Sequence, residues 1–321
     1  MARRSRPTIH CIFPLQGDVG RLSNVSETPE GMNNRLQEAR VASTALQARE
    51  EKAFQALLTH IQQAYGLDYS RYKPTFVKRR VSARLRARGL SSYHDYLQLL
   101  RTDPREYEHL LASLTIGFTS FFRDASTFET LRDQVLRPLL HERARRGERR
   151  FRAWSAGCAT GEETYSLAIL LHQILGPRVR HWDVRILGTD IDPRALERAR
   201  RGVYTPFSFR GTQWPRLDRF FSITAEGRAV IPQLKALVHF QRHNLMTDPP
   251  PGRFDLILCR NVLIYFRRSQ QVDLCRQFHQ ALVPAGILVL GKTETLPPEV
   301  MTSFETVHLG ERLYRKRDAG G

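Results

Sequence analysis

The chain has 321 residues, 41% of them hydrophobic, enough for one large domain and a smaller one with well-filled cores. Fifty Lys and Arg against thirty-two Asp and Glu leave a formal charge of +18, which favours an acidic partner (nucleic acid, anionic lipid or an acidic protein surface) without choosing among them. No stretch approaches the roughly 18 apolar residues of a spanning helix, and no apolar run follows the first arginines, so neither membrane insertion nor export is expected. Cys11, Cys158, Cys259 and Cys275 form no CxxC pair and no metal-ligand spacing. Reduced thiols in a cytoplasmic protein, and no bound metal, are the expectation.

Residues 1–48 mix Gly, Ser, Asn and Pro with little apolar periodicity and read as a flexible leader with at most a short helix near its end. From 49 to 140 the pattern is helical. Phe54, Leu57, Leu58, Ile61 and Tyr65 recur at helical spacing, and apolar clusters follow at 93–100 and 107–114, predicting an N-terminal all-helical domain. Within it, residues 71–90 hold eight basic side chains and no acidic one. Val77, Val81 and Leu85 recur every four residues, and Arg80, Arg84 and Arg88 do the same on an adjacent stripe. One helix can thus pack inward and present Arg79, Arg80, Arg84 and Arg88 as a docking face.

After the charged run 141–150, short apolar strands expected at 151–156, 184–189, 254–259 and 286–290 alternate with helical segments such as 162–174. This predicts an α/β domain over 145–321 built on a parallel, doubly wound sheet. Between 202 and 243 the alternation breaks at Pro206, Pro215 and Pro232, with short strands expected near 220–223, 229–231 and 238–241. That region, about 203–243, reads as an inserted β-subdomain.

The first strand runs into Gly157-Cys158-Ala159-Thr160-Gly161 and then a helix, a turn that lets a ligand approach the backbone without meeting a Cβ atom. The dinucleotide signature GxGxxG is absent. Glu163 would repel a phosphate but suit an ammonium or sulfonium, which favours S-adenosylmethionine over NAD. Asp190 ends the second strand, where a carboxylate commonly accepts ribose hydroxyls, although Asp190 or Asp192 could instead cap the helix starting at Pro193. We assign the ribose to Asp190 and the cap to Asp192. Asn244 could lie near the adenine or serve a loop hydrogen bond.

Four blocks resemble the chemotaxis receptor methyltransferase family, the CheR type, within a similarity spanning about residues 53–314. They are Thr119-Ser120-Phe121-Phe122-Arg123-Asp124, residues 154–163 with Tyr165-Ser166, Thr189-Asp190-Ile191-Asp192, and Cys259-Arg260-Asn261-Val262-Leu263-Ile264-Tyr265-Phe266. The resemblance implies a Rossmann-like class I methyltransferase sheet with an N-terminal helical domain and a small inserted antiparallel β-subdomain. It also implies S-adenosylmethionine as methyl donor, S-adenosylhomocysteine as product, and methylation of glutamate side-chain carboxylates on methyl-accepting chemotaxis receptors. Carried over residue by residue, Thr119, Arg123, Glu163, Asp190, Asn244, Leu245, Cys259 and Arg260 match cofactor-contacting positions, with Gly157 in the same turn. Arg123 and Tyr265 match the pair implicated in catalysis. Arg123 would come from the helical domain, placing the site between domains. The basic helix would approach a receptor's helical region, and a receptor's C-terminal tail could add a strand to the inserted subdomain, a role no residue between 202 and 243 decides. The protein is expected to be a cytoplasmic monomer recruited to receptor arrays, with no nucleic-acid partner.

Three positions depart from the family pattern: Gly117 stands where Asn is frequent, Thr164 where Pro is frequent, and Lys292 in Gly291-Lys292-Thr293-Glu294, where Gly-His-Ser-Glu is common. None touches Arg123 or Tyr265. A glutamate ionises near a pKa of about 4.3, so its methylation needs no general base, and the enzyme's task is orientation in a water-poor pocket. Tyr265 could orient the acceptor carboxylate or be a core aromatic; Arg123 could bind a carboxylate, hold Tyr265 or pair with Asp124. A nucleic-acid methyltransferase is the alternative, since +18 suits a phosphate backbone and Asp248-Pro249-Pro250 resembles an amino-methylation motif. Pro251 occupies that motif's aromatic position, however, and the motif precedes its strand. A cofactor sensor without turnover and an NAD oxidoreductase fit less well, the first because Arg123 and Tyr265 are present, the second because the glycine fingerprint is missing.

Overall fold

The computed structural model describes residues 29–65, 68–114 and 119–317, so the start of the expected leader and Gly117 lie outside the described residues. Helix α1, Pro29–Tyr65, is far longer than the short helix expected at the leader's end. Residues 33–52 contain no Gly or Pro and are rich in Ala, Gln, Glu and Arg, so local propensity carries this part of the helix ahead of the apolar stripe that begins at Phe54. The chain divides into one unit ending at Lys52 and a second beginning at Ala53, and every feature described below belongs to the second.

Helices α2 (Pro74–Ala87), α3 (Tyr93–Thr102) and α4 (Pro104–Leu114) pack with Phe54, Leu57 and Ile61 of α1. Pro74 opens α2, where its missing N–H costs nothing, and the Ser92 hydroxyl caps α3 by accepting from His94 N and Asp95 N. The expected inward stripe Val77, Val81 and Leu85 is buried. Helices α5 (Ala125–Thr130) and α6 (Arg137–Arg145) are joined by a π-helical stretch, Leu131–Leu136. Their buried side chains Phe128, Leu131, Val135, Leu136 and Leu140 belong to the core of the sheet and not to that of the bundle. By packing, the helical unit therefore ends near Leu114, well before residue 140.

The strands are β1 (Arg150–Ala156), β2 (Asp183–Asp190), β3 (Val203–Tyr204), β4 (Phe221–Thr224), β5 (Gly227–Val230), β6 (Val238–Arg242), β7 (Phe254–Cys259), β8 (Leu282–Leu290), β9 (Phe304–His308) and β10 (Leu313–Lys316). Seven form one sheet in the order β6-β2-β1-β7-β8-β10-β9, parallel from β6 to β8 and antiparallel at β10 and β9. Helices α7 (Glu162–Leu175) and α8 (Pro193–Arg201) follow β1 and β2; the short α9 (Pro232–Lys235) precedes β6; α10 (Arg268–Ala281) and α11 (Pro298–Met301) flank β8. Alternation within strands feeds two apolar layers: Phe151, Ala153, Leu256 and Leu258 face one, Trp154, Ala156, Ile257 and Cys259 the other. The expected α/β class and doubly wound sheet are present.

The insertion holds a three-stranded antiparallel sheet, β3-β5-β4. Residues 238–241 were expected within it, yet β6 pairs in parallel with β2, Val238 lying opposite Ile186, and forms the edge of the main sheet. An apolar alternation specifies a half-buried strand but not the sheet it joins. Strands β1 and β7 are neighbours whose chains leave toward opposite edges, so the carboxyl ends on either side of them form the crevice where doubly wound folds bind ligands.

Candidate active site

Loops after β1, β2, β6 and β7 surround a two-lobed cleft at that crevice. The larger lobe, about 700 Å³, is lined by Gly157, Ala159, Asp190, Asn244, Leu245, Val262 and Tyr265, with Tyr72 and Leu114 from the helical unit. Gly157 has φ +77°, and a Cβ there would lie 2.6 Å from Val262 Cγ2, so the turn closes only without a side chain. Asp190 Oδ2 accepts from Ala159 N at 2.8 Å and Oδ1 from Asp192 N at 3.0 Å. Burial raises the Asp190 pKa, and those backbone donors offset this only in part. A carboxylate has about four acceptor sites, so capacity remains for hydroxyl donors in the lobe. Asp192 caps α8 by accepting from Arg194 N at 2.9 Å, as its spacing before Pro193 suggests.

The smaller lobe, about 470 Å³, is lined by Thr119, Ser120, Arg123, Gly157, Glu163, Arg260 and Tyr265, among others. Glu163 accepts from the Ser155 hydroxyl at 2.8 Å and from Arg260 Nη1 at 3.3 Å. Burial raises its pKa against the opposing pull of Arg260. Arg260 itself is almost fully buried, and its Nη2 donates to Arg123 O and to Asp124 Oδ2, both at 2.8 Å. Arg260 thus ties the Arg123 turn to Glu163.

That turn is anchored by its two phenylalanines. Phe121 stacks on Phe209 at 4.9 Å, and Phe122 lies parallel to Trp214 at 4.0 Å. Phe122 and Asp124 adopt left-handed φ values of 51° and 58°; aspartate tolerates this region, but a bulky phenylalanine holds it only where packing overrides the strain. Contrary to the expectation that Arg123 comes from the helical domain, these contacts fix its turn to the sheet's core and the inserted subdomain. Tyr72 and Leu114 are what the helical unit supplies instead. No periodicity singled out Tyr72.

Tyr265 ends a short 3-10 turn after β7, with its ring 4.8 Å from that of Phe76 and its carbonyl accepting from Lys73 N at 2.9 Å. Tyr72 and Phe266 form a β-bridge beside it. Burial raises the Tyr265 pKa, opposed by the positive charges of Arg123, Arg80 and Arg79 and aided by Glu294. The phenol is held as a hydrogen-bond donor at the seam of bundle and sheet.

The cleft gathers Thr119, Arg123, Gly157, Glu163, Asp190, Asn244, Leu245, Arg260 and Tyr265. Cys259 is set apart: its side chain is fully buried among apolar residues, and burial raises its thiol pKa strongly. The docking stripe also divides. Arg84 makes a two-point pair with buried Glu106, Nε to Oε1 at 3.0 Å and Nη2 to Oε2 at 2.8 Å, while Arg88 reaches Asp103 at 3.4 Å and Glu106 at 3.6 Å. These two join α2 to the α3–α4 pair. Arg79 is exposed, and Arg80 lies 5.9 Å over the Phe76 ring beside Tyr265. Among the departures, Lys292 donates to Ser126 Oγ at 2.7 Å and lies 3.3 Å from Glu311, linking the loop after β8 to α5. Thr164 is buried, its hydroxyl without a partner among the described residues. Asp248 accepts from Asn244 N and the Thr247 hydroxyl, both at 2.9 Å, which commits it to its own turn.

Two family models match the chain: "CheR methyltransferase, SAM binding domain" over residues 117–312 and "CheR methyltransferase, all-alpha domain" over 52–115. The chain is 34% identical over 277 residues to the chemotaxis protein methyltransferase of Salmonella typhimurium, an alignment covering 84% of this chain and 91% of that protein. It is 35% identical over 255 residues to that of Escherichia coli, with 77% and 85% covered. An uncharacterized 104.1 kDa protein of Rhodobacter capsulatus is 33% identical over 299 residues, 92% of this chain but 31% of that protein, so the chain spans under a third of that relative.

Proposed function

This chain belongs to the CheR methyltransferase family, and from that premise we propose that it methylates glutamate side-chain carboxylates on the cytoplasmic region of methyl-accepting chemotaxis receptors. The cofactor is S-adenosylmethionine, which when bound supplies an electrophilic methyl group on a sulfonium. The cleft suits it: a Gly157 turn packed so closely on Val262 that no Cβ fits, a carboxylate with acceptor capacity in one lobe, and opposite charges, Glu163 and Arg123, in the other.

In this reading Asp190 accepts from the ribose hydroxyls, Asn244 and Leu245 border the adenine, and Glu163 faces the cationic end of the cofactor. Thr119 and Arg123 close the small lobe. Arg260 acts through others, keeping Glu163 and the Arg123–Asp124 turn in register. Cys259 takes part through its place in the chain and not its thiol. The observation that carries the proposal is the meeting of Arg123, Glu163 and Tyr265 in one lobe. Tyr265 donates a hydrogen bond to the incoming carboxylate and Arg123 supplies positive charge; the acceptor is already ionised, so orientation replaces base catalysis. Arg79 and Arg80 attract the acidic helical region of the receptor toward Tyr265. A receptor tail would add to the edge strand β4, where Ile223 is 90% exposed.

Incubation of the purified protein with radiolabelled S-adenosylmethionine and receptor membranes tests the proposal. Base-labile label on the receptor is the expected result; alkali-resistant label, or label on RNA, would overturn it.

A further inference from the structure

Glu294 lies just past strand β8, remote from Tyr265 in sequence, and is only 3% exposed. Three backbone N–H groups converge on its carboxylate: Gly291 N at 2.6 Å and Asn261 N at 2.8 Å donate to Oε2, and Ile264 N at 3.2 Å donates to Oε1. Two of these donors belong to the loop that leads directly into Tyr265. Asn261 there holds a left-handed φ of 60°, a turn that asparagine tolerates better than most residues and that aims its N–H at Glu294. Gly291 permits the arrangement, since a Cβ at that position would lie 2.6 Å from Glu294 Oε2 and 2.8 Å from Asn261 N.

We propose that Glu294 is a positioning residue, splinting the 261–264 loop so that the Tyr265 phenol stands in the small lobe beside Arg123. The inference rests on the catalytic reading of Tyr265 given above. A carboxylate suits the task because both of its oxygens only accept, whereas a glutamine would turn an NH₂ group toward one of the N–H donors. The negative charge also works against the acidifying pull of Arg79, Arg80 and Arg123 on Tyr265, which keeps the phenol a donor.

The test is a double-mutant cycle on the full chain, reading receptor methylation and S-adenosylmethionine affinity together. Glu294→Gln should lower kcat about tenfold while the cofactor Kd moves less than about threefold, because Asp190, Asn244, Leu245 and Glu163, which hold most of the cofactor in this reading, lie on other segments. In a Tyr265→Phe background the same substitution should cause little further loss, since a residue acting through Tyr265 has nothing left to position. Equal losses in both backgrounds, or a loss that follows cofactor affinity, would overturn the splint while leaving the catalytic reading intact. Full activity of Tyr265→Phe would overturn both. Should Glu294→Gln fail to fold, Glu294→Asp keeps the acceptor oxygens at shorter reach and Gly291→Ala displaces the carboxylate; both are read against the same two outcomes.

Discussion

In and just behind the cleft, the carboxylates of Asp190, Glu163 and Glu294 come from three distant segments, yet each is met by donors that the fold sets against it. On α2 the reverse holds: Arg80, Arg84 and Arg88 are evenly spaced on one helix and still part company, the last two turning to Glu106 and Asp103 while Arg80 stays beside Tyr265. The difference teaches that a charge's role is set by what the fold brings opposite it. A regular stripe of like residues is no guarantee of a common task.

The sharpest way to break this comparison is to treat the stripe as uniform. Arg84→Ala leaves Glu106 buried with less compensation and should cost about 3 kcal/mol of stability in chemical denaturation, whereas Arg79→Ala should stay within about 0.5 kcal/mol. The same pair governs acid stability. Burial opposes ionisation of Glu106, but Arg84 and the Tyr96 hydroxyl outweigh it and hold the pKa below its ordinary value of 4.5. A depressed folded pKa contributes stability that is present above 4.5 and lost as pH falls through the lower value. Acid unfolding of Arg84→Ala should therefore show a weaker pH dependence in that window.

Next in size is Arg123→Ala, expected to slow methyl transfer about a hundredfold without unfolding the turn, since Phe121, Phe122 and Arg260 hold it in place. Wild-type rates would remove Arg123 from the mechanism. Asp190→Asn should weaken S-adenosylmethionine binding about tenfold by calorimetry, because the amide replaces acceptor lone pairs with a donor. Arg79→Glu should reduce receptor methylation about threefold at low salt, with the difference shrinking as salt rises and cofactor affinity unchanged. Smallest is a proton effect. Burial raises the pKa of Asp190 and Glu163, so the stability they contribute to the cofactor-free protein is present below their ordinary values and is lost as pH rises through the raised ones. Cofactor donors that favour the ionised forms should then release protons on binding in mildly acidic solution, visible as a buffer-dependent binding heat.

Much of the fold was legible because it is local. The strand expected at 151–156 matches β1 to within one residue, the stripe Val77, Val81 and Leu85 is the buried face of α2, and Asp192 before Pro193 is the cap its spacing suggests. The Gly157 turn was legible too, since a glycine between a strand and a helix marks a place where the backbone must turn with no room for a Cβ. What was not legible depends on distant partners: β6 shows the alternation of a strand but not its pairing with β2, and nothing near Arg84 announces Glu106, 22 residues away.

By itself, then, the sequence determined periodicity, caps, turns and the kinship carried by its four blocks, all of which depend on residues within a few positions of one another. Only the tertiary structure decided that Arg123 is fixed to the sheet by Phe121 and Phe122, that Tyr72 enters the cleft, and that Glu294 reaches the loop before Tyr265. Those outcomes depend on donors, charges and rings that meet across long stretches of chain, and spacing along one segment carries no record of what lies opposite it.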